Sequence, residues 1–296
     1  MILKNITFLP GVTPIKDRIE DRLKDWRKDT IDNIKKLNLK TSKSKGQNFL
    51  IRYRVVSQIV ENANVTKEDH ILEIGGGLGI LTEALAITGA KITVIEKEKK
   101  LADFLENKFK NKDNVEIINA DVLNVKWPEK VKIVANLPYS ISTPIIEKIM
   151  HDNVGEAYIM IQREVALRCL AEPGNENYSR LSLLCKTHAK ISRLMDISPE
   201  SFVPKPKVNS TVIKIIKRKL DLKNEHEDIE LLIRNLFILK RRILRSVIRG
   251  YLKRKNVREG IWDDCPYSEK RINELSIFEI DKILSFLKIN NVFPLA

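Results

Sequence analysis

Cysteine is scarce. The 296 residues hold three (Cys169, Cys185 and Cys265), and no two form a C-x-x-C pair. That spacing excludes a disulfide framework, argues against a zinc site and fits a reducing cytoplasm. The four histidines are dispersed and read as structural or solvated, so no metal is expected. No apolar run approaches the roughly eighteen residues that span a bilayer, so no membrane partner is expected. The N-terminus lacks the apolar core of a signal peptide and is too acidic for a transit peptide. Acidic charge is in deficit, with 39 Asp and Glu against 53 Lys and Arg and a net charge of +14. Such a surplus favours a polyanionic partner, nucleic acid before membrane. Bulk charge is weak evidence, and its placement matters more. What is present, 43% hydrophobic and 31% charged residues, describes a soluble globular chain of one large or two smaller domains.

One stretch organises the rest: HILEIGGGLGILTEALA, His70 to Ala86. A short apolar run meets glycines at 75, 76, 77 and 79, and a helical pattern follows. That is strand, tight turn, helix, the first unit of a doubly wound α/β sheet. The next apolar run, Ile92 to Ile95, ends in Glu96, about twenty residues past the first glycine, where such folds hydrogen-bond a ribose. The chain is therefore expected to grip a nucleoside. A dinucleotide fingerprint needs glycine or alanine where Ile80 or Thr82 stands, and the phosphate-cradling GK[ST] ending is absent. The pattern is instead E-x-G-x-G-x-G, Glu73 to Gly79, and a carboxylate there suits a ligand with an amino group, such as S-adenosylmethionine. A plain glycine turn is the competing reading, and Glu96 tips the balance.

Before this stretch, Ile15, Ile19, Leu23, Trp26, Ile34 and Leu37 recur at helical spacing, broken only around Thr30. An amphipathic helix is expected, packed on its own protein or, as the sharper alternative, on RNA or a partner. The segment KSKGQNFLIRYRVVSQIV (43–60) reads as a loop, then a helix. Its Gln47-Asn48 pair could close over a ligand or cap the helix. After the glycine stretch, Val115 to Ile118 forms a further strand that ends at Asp121, which would face a bound base or serve as a turn aspartate.

The most specific signal follows the strand Val131 to Val134: Asn136-Leu137-Pro138-Tyr139. An exocyclic amine on a base is a poor nucleophile, because its lone pair is delocalised into the ring. The Asn136 oxygen and the carbonyl of Leu137 or Pro138 can accept both N–H bonds, localising that lone pair. Pro138 stiffens the loop, and Tyr139 offers a stacking face to a base taken out of its strand. A proline turn after a buried strand would explain Pro138 alone. Farther on, Ala157 to Gln162 and Thr211 to Ile216 read as strands. Phe202, in the proline loop between them, either covers the target base or is a core aromatic.

From about residue 217 helices take over. Leu236, Leu239, Ile243, Val247 and Tyr251 make an apolar stripe, with Arg241, Arg245, Arg249 and Lys253 four apart beside it and Arg242 adjacent. No acidic residue lies between Lys240 and Arg258, and like charges at that spacing repel, so the row makes better sense opposite phosphates than as a solvated face.

Together these pieces resemble the ribosomal RNA adenine N6,N6-dimethyltransferases, in particular their small-subunit, kasugamycin-sensitivity branch. The likeness is carried by KGQNFL (45–50), EIGGGLGILTEAL (73–85), VIE (94–96), AD (120–121), NLPYSISTP (136–144), QREV (162–165), SRLSL (179–183) and FVPKPKVNS (202–210). It implies a Rossmann-like α/β methyltransferase sheet (43–216), preceded by an extension (1–42) and followed by a small α-helical rRNA-binding domain (217–296). The candidate cofactor-binding residues are Gln47, Asn48, Leu50, Gly75, Gly77, Glu96, Asp121 and Asn136. Asn136, Leu137, Pro138, Tyr139 and Phe202 are the candidates to present the adenine, and Arg241, Arg242, Arg245, Arg249 and Lys253 to hold RNA. The resemblance further implies S-adenosylmethionine as methyl donor. Its substrate would be two neighbouring adenosines near the 3′ end of small-subunit rRNA, in an assembling subunit, with the enzyme a monomer. Two alternatives stay open: a large-subunit methylase of the macrolide-resistance type, and a non-catalytic assembly or transcription factor on the same fold.

Overall fold

The structure is a computed structural model, and it describes residues 14–23, 25–39, 48–218, 220–252 and 264–295. In chain order its elements begin with α1 (Ile15–Leu23), α2 (Trp26–Lys36), β1 (Phe49–Leu50) and α3 (Tyr53–Asn62). The first α/β units follow: β2 (His70–Ile74), α4 (Ile80–Ala86), β3 (Lys91–Glu96), α5 (Lys99–Phe109) and β4 (Val115–Asn119). Next come β5 (Val131–Asn136), α6 (Ser142–His151), β6 (Val154–Gln162), α7 (Arg163–Leu170) and α8 (Arg180–His188). The chain closes with β7 (Ala189–Ile197), β8 (Phe202–Val203), β9 (Ser210–Lys217), α9 (His226–Leu236), α10 (Leu244–Leu252) and α11 (Ile277–Ile289).

Seven strands form one sheet in the order β4-β3-β2-β5-β6-β9-β7. The pairs β2–β3, β2–β5, β3–β4 and β5–β6 are parallel. Helical crossovers cover both faces of such a sheet, which is why β2 is buried along nearly its whole length. The chain leaves β2 toward β3 and returns to its other side at β5. The carboxyl ends of β2 and β5 therefore flank the point where strand order reverses, the place where these sheets bind ligands.

Two compact units divide the chain: Met1–Arg163 with Leu194–Lys214, and Glu164–Arg193 with Ile215–Ala296. This differs from the division drawn in the sequence at 216, because residues 164–193 cluster with the C-terminal helices. In the second unit Tyr178 and Leu183 share a core with α9, α10 and α11, and the Tyr178 hydroxyl donates to the Leu275 carbonyl at 2.8 Å.

The N-terminal helices belong to the first unit. Ile19 and Leu23 are buried in one core with Val56 and Ile59 of α3 and with Leu81 and Leu85 of α4. Each such side chain contributes about 1.5–3 kcal/mol when fully buried. The expected break near Thr30 falls elsewhere, between Leu23 and Trp26. Thr30 lies inside α2 and is buried, whereas Asp25, poorly suited to a helix interior, starts the new helix and its carbonyl accepts from Lys28 and Asp29.

Candidate active site

A cleft partly open to solvent lies at the ends of β2 and β5. Its lining includes the glycine loop (75–78), Glu73, Glu96, Asn48 to Leu50, and the whole of Asn136 to Tyr139. The two most informative stretches of the sequence thus meet in one space.

The loop after β2 turns through left-handed backbone, with φ of +74° at Gly75 and +57° at Gly77. A Cβ on Gly75 would sit 3.4 Å from Pro138, and one on Gly77 would sit 3.4 Å from the Phe49 ring. Glycine is therefore favoured there by conformation. The Gly77 N–H donates to Glu96 Oε2 at 3.1 Å, and the Glu98 N–H donates to Glu96 Oε1 at 2.9 Å. Burial raises the Glu96 carboxyl above its usual range, opposed by those two donors. Glu96 is thus fixed in orientation at the cavity wall.

Glu73, which opens the loop, is 2% exposed and accepts from Thr82 Oγ1 at 2.6 Å. Burial pushes its carboxyl up to about 8, helped by the charge of Glu96. Burial thus favours the neutral acid at Glu73.

Asn136 ends β5 in register with Met160. Leu137 is buried, and its N–H donates to the Met160 carbonyl at 3.1 Å. The Pro138 carbonyl accepts from the Ile141 N–H at 3.1 Å and from Ser142 Oγ at 3.2 Å. The Tyr139 ring is half-buried, and its hydroxyl is 2.6 Å from Ser210 Oγ. Desolvation holds that phenol above its usual range.

Other expected residues fall elsewhere. Asp121 is not among the lining residues. Lys97 Nζ donates to its carboxylate at 2.7 Å and the Leu123 N–H at 3.0 Å, and the Asp121 side chain stays partly exposed. Phe202 is 2% exposed and pairs with Leu50 across the β1–β8 bridge, so it is a core aromatic that fixes the 49–50 segment. Gln47 and Lys253 lie outside the described residues. Trp26, Phe49, Leu78, Ile80, Leu81 and Leu101 also line the cavity, though the sequence marked none of them as a site residue. Their apolar spacing signals only burial.

In the second unit the expected single helix is broken. After α9 a short 3-10 turn covers Phe237–Leu239, and α10 starts only at Leu244. Leu239 and Ile243 are exposed, while Leu236 and Val247 are buried, so the apolar stripe is not continuous. Arg241 and Arg242 sit in the turn, Arg245 and Arg249 on α10, and all four are exposed. Arg245 also meets an acidic partner from outside the window read in the sequence, Glu269 at 2.9 Å.

A parallel sheet with a glycine loop after its first strand, an acid ending the next and an N-L-P-Y turn after β5 defines a Rossmann-like methyltransferase. The family described as ribosomal RNA adenine dimethylase matches residues 38–292. A Thermococcus onnurineus protein named "Probable ribosomal RNA small subunit methyltransferase A" is 39% identical over 88% of this chain and 97% of its own length. A Pyrococcus furiosus protein of the same name is 35% identical over 88% of this chain and 96% of its own. A solved dimethyladenosine transferase from Plasmodium falciparum superposes with a TM-score of 0.70 at 24% identity, covering 82% of this chain and 98% of that one. The chain belongs to the ribosomal RNA adenine dimethylase family.

Proposed function

We propose that this protein transfers methyl groups from S-adenosylmethionine to N6 of two adjacent adenosines near the 3′ end of small-subunit rRNA, dimethylating each. The observation that carries this reading is the joining of the glycine loop and the Asn136–Tyr139 turn in one cavity. The residues suit the cofactor, since Gly75 and Gly77 turn the lining loop through left-handed backbone without side chains and Glu96 offers a fixed carboxylate. When bound, S-adenosylmethionine supplies an electrophilic methyl group on a sulfonium.

The chain's own residues act on the target amine. The Asn136 side-chain oxygen accepts one N–H. The Pro138 carbonyl already serves Ile141 and Ser142, which leaves the Leu137 carbonyl to accept the other. In the first transfer both bonds localise the nitrogen lone pair toward the methyl; in the second the methylamine has one N–H left, and one of these acceptors holds it. No general base is needed, because the alkylated nitrogen is acidic and loses its proton to water. The Tyr139 ring, tethered through its hydroxyl to Ser210, stacks on the extruded base. In the second unit Arg241, Arg242, Arg245 and Arg249 hold phosphates, which makes binding salt-dependent. The enzyme works as a cytoplasmic monomer on the assembling subunit. Among the described residues no helix is long and apolar enough to cross a membrane.

Incubating the protein and labelled cofactor with unmethylated small and large subunits tests this reading. Mass spectrometry of the digested RNA is expected to find two neighbouring dimethyladenosines in small-subunit rRNA. Label in large-subunit rRNA, or none in either, would overturn it.

A further inference from the structure

The glycine loop is built against the end of α5. A Cβ on Gly76 would sit 2.9 Å from Leu105, and one on Gly79 would sit 2.9 Å from the Phe109 ring. Beside these apolar contacts α5 places a cation. Lys108 Nζ donates to the Leu78 carbonyl at 3.4 Å. It lies 3.9 Å from the centre of the Trp26 ring and 5.3 Å from that of Phe109. Lys108 is partly buried, and among the described residues it has no ion-pair partner. The buried Glu83 of α4 is instead taken by Arg22 Nε at 2.9 Å. An ammonium sheltered without a carboxylate against it is unfavourable by itself. What it does meet is the loop that forms the cleft, since Leu78 is a lining residue. Burial depresses the group to about 8; Glu83 of α4, Asp29 of α2 and Glu73 of β2 oppose that shift, and Arg22 of α1 adds to it.

We propose that Lys108 is a positioning residue for the cofactor: its ammonium, faced by the Trp26 ring, holds the Leu78 carbonyl so that the glycine loop stands in its binding shape before S-adenosylmethionine arrives. This rests on the proposed function of the cleft. The same loop carries the Gly77 N–H that fixes Glu96, so holding Leu78 steadies both walls at once. A loop already in shape need not be ordered by the ligand, and affinity gains by that saving. The charge matters because an ammonium is a stronger donor than a neutral amine. The Trp26 face stabilises that charge, which gives α2 a part in the cofactor site without touching the ligand. Binding therefore favours protonated Lys108, and affinity should fall as pH rises through about 8.

The test is calorimetry of S-adenosylhomocysteine binding to the full chain and to Lys108→Met, from pH 6.5 to pH 9.5. Methionine keeps the unbranched stem and removes the ammonium. Loss of a charge-assisted bond should weaken the variant roughly tenfold at the acid end, and the two affinities should converge to within about twofold at the alkaline end. Glu73 and the amino group of the probe titrate in both proteins, so they cancel in the ratio of affinities. A ratio that stays constant with pH, as a merely structural lysine would give, or a ratio of one throughout, overturns the proposal. If the wild-type chain takes up no S-adenosylhomocysteine at any pH, the cofactor reading itself fails. A second measurement needs no variant. In protein labelled with ¹³C-lysine, the resonance that titrates near 8 should shift its midpoint upward when S-adenosylhomocysteine is added; a midpoint indifferent to the probe sinks the idea.

Discussion

Glu73→Gln should make the folded chain more stable at alkaline pH and nearly indifferent at acid pH. Burial lifts the Glu73 carboxyl from an ordinary 4.5 to about 8. Between those two values the folded chain holds a proton that the unfolded chain releases. Stability therefore falls as pH rises through that window, and the full penalty is present above the folded pKa. At about 1.4 kcal/mol per pH unit, the gap between 4.5 and about 8 sets a ceiling near 5 kcal/mol. Glutamine keeps the side chain's size, its neutral state and an oxygen to accept from Thr82 Oγ1, so the Glu73 contribution to the slope should vanish in the variant. Other groups titrate nearby: Lys108 is depressed to about 8 by burial, and His70 is lowered by burial and by Lys91. Depressed cations give the opposite slope, and both are common to the two proteins, so the difference between them isolates Glu73. The assay is urea denaturation of each protein from pH 5 to pH 9. A wild-type curve parallel to the variant's across that range would refute the buried-acid argument.

Asn136→Ala removes an acceptor used only as the amine becomes nucleophilic. Methylation of small subunits should fall roughly 10²-fold or more, while filter binding of the RNA stays unchanged; unchanged turnover would contradict the assigned role. Arg241→Glu with Arg245→Glu should weaken subunit binding and flatten its salt dependence, with cofactor affinity preserved. A loss confined to the cofactor would contradict the reading of that turn.

The central strands were legible because a parallel sheet covered on both faces writes near-continuous apolar runs, as in Ile71–Ile74 and Ile92–Ile95. The glycine loop and the N-L-P-Y turn were legible because each needs particular residue types. Strand β7 was not read: it lies at the sheet edge, and Lys190, Arg193 and Asp196 interrupt its apolar pattern. The β1–β8 bridge joins Leu50 to Phe202 across a long stretch of chain, so no local pattern could place Phe202 in the core. Trp26 looked like any residue of an apolar stripe. Its place in the cavity depends on how α2 packs, and α2 itself starts where Asp25 interrupts the spacing. The break between α9 and α10 was hidden because Leu239 and Ile243 keep helical spacing on a segment that is a turn.

The most direct test of the central claim is calorimetric titration of the purified chain with S-adenosylhomocysteine, with and without rRNA. One site per chain is expected, weakened when Gly77 is replaced by a bulkier residue. No uptake under either condition would contradict a cofactor pocket at the ends of β2 and β5.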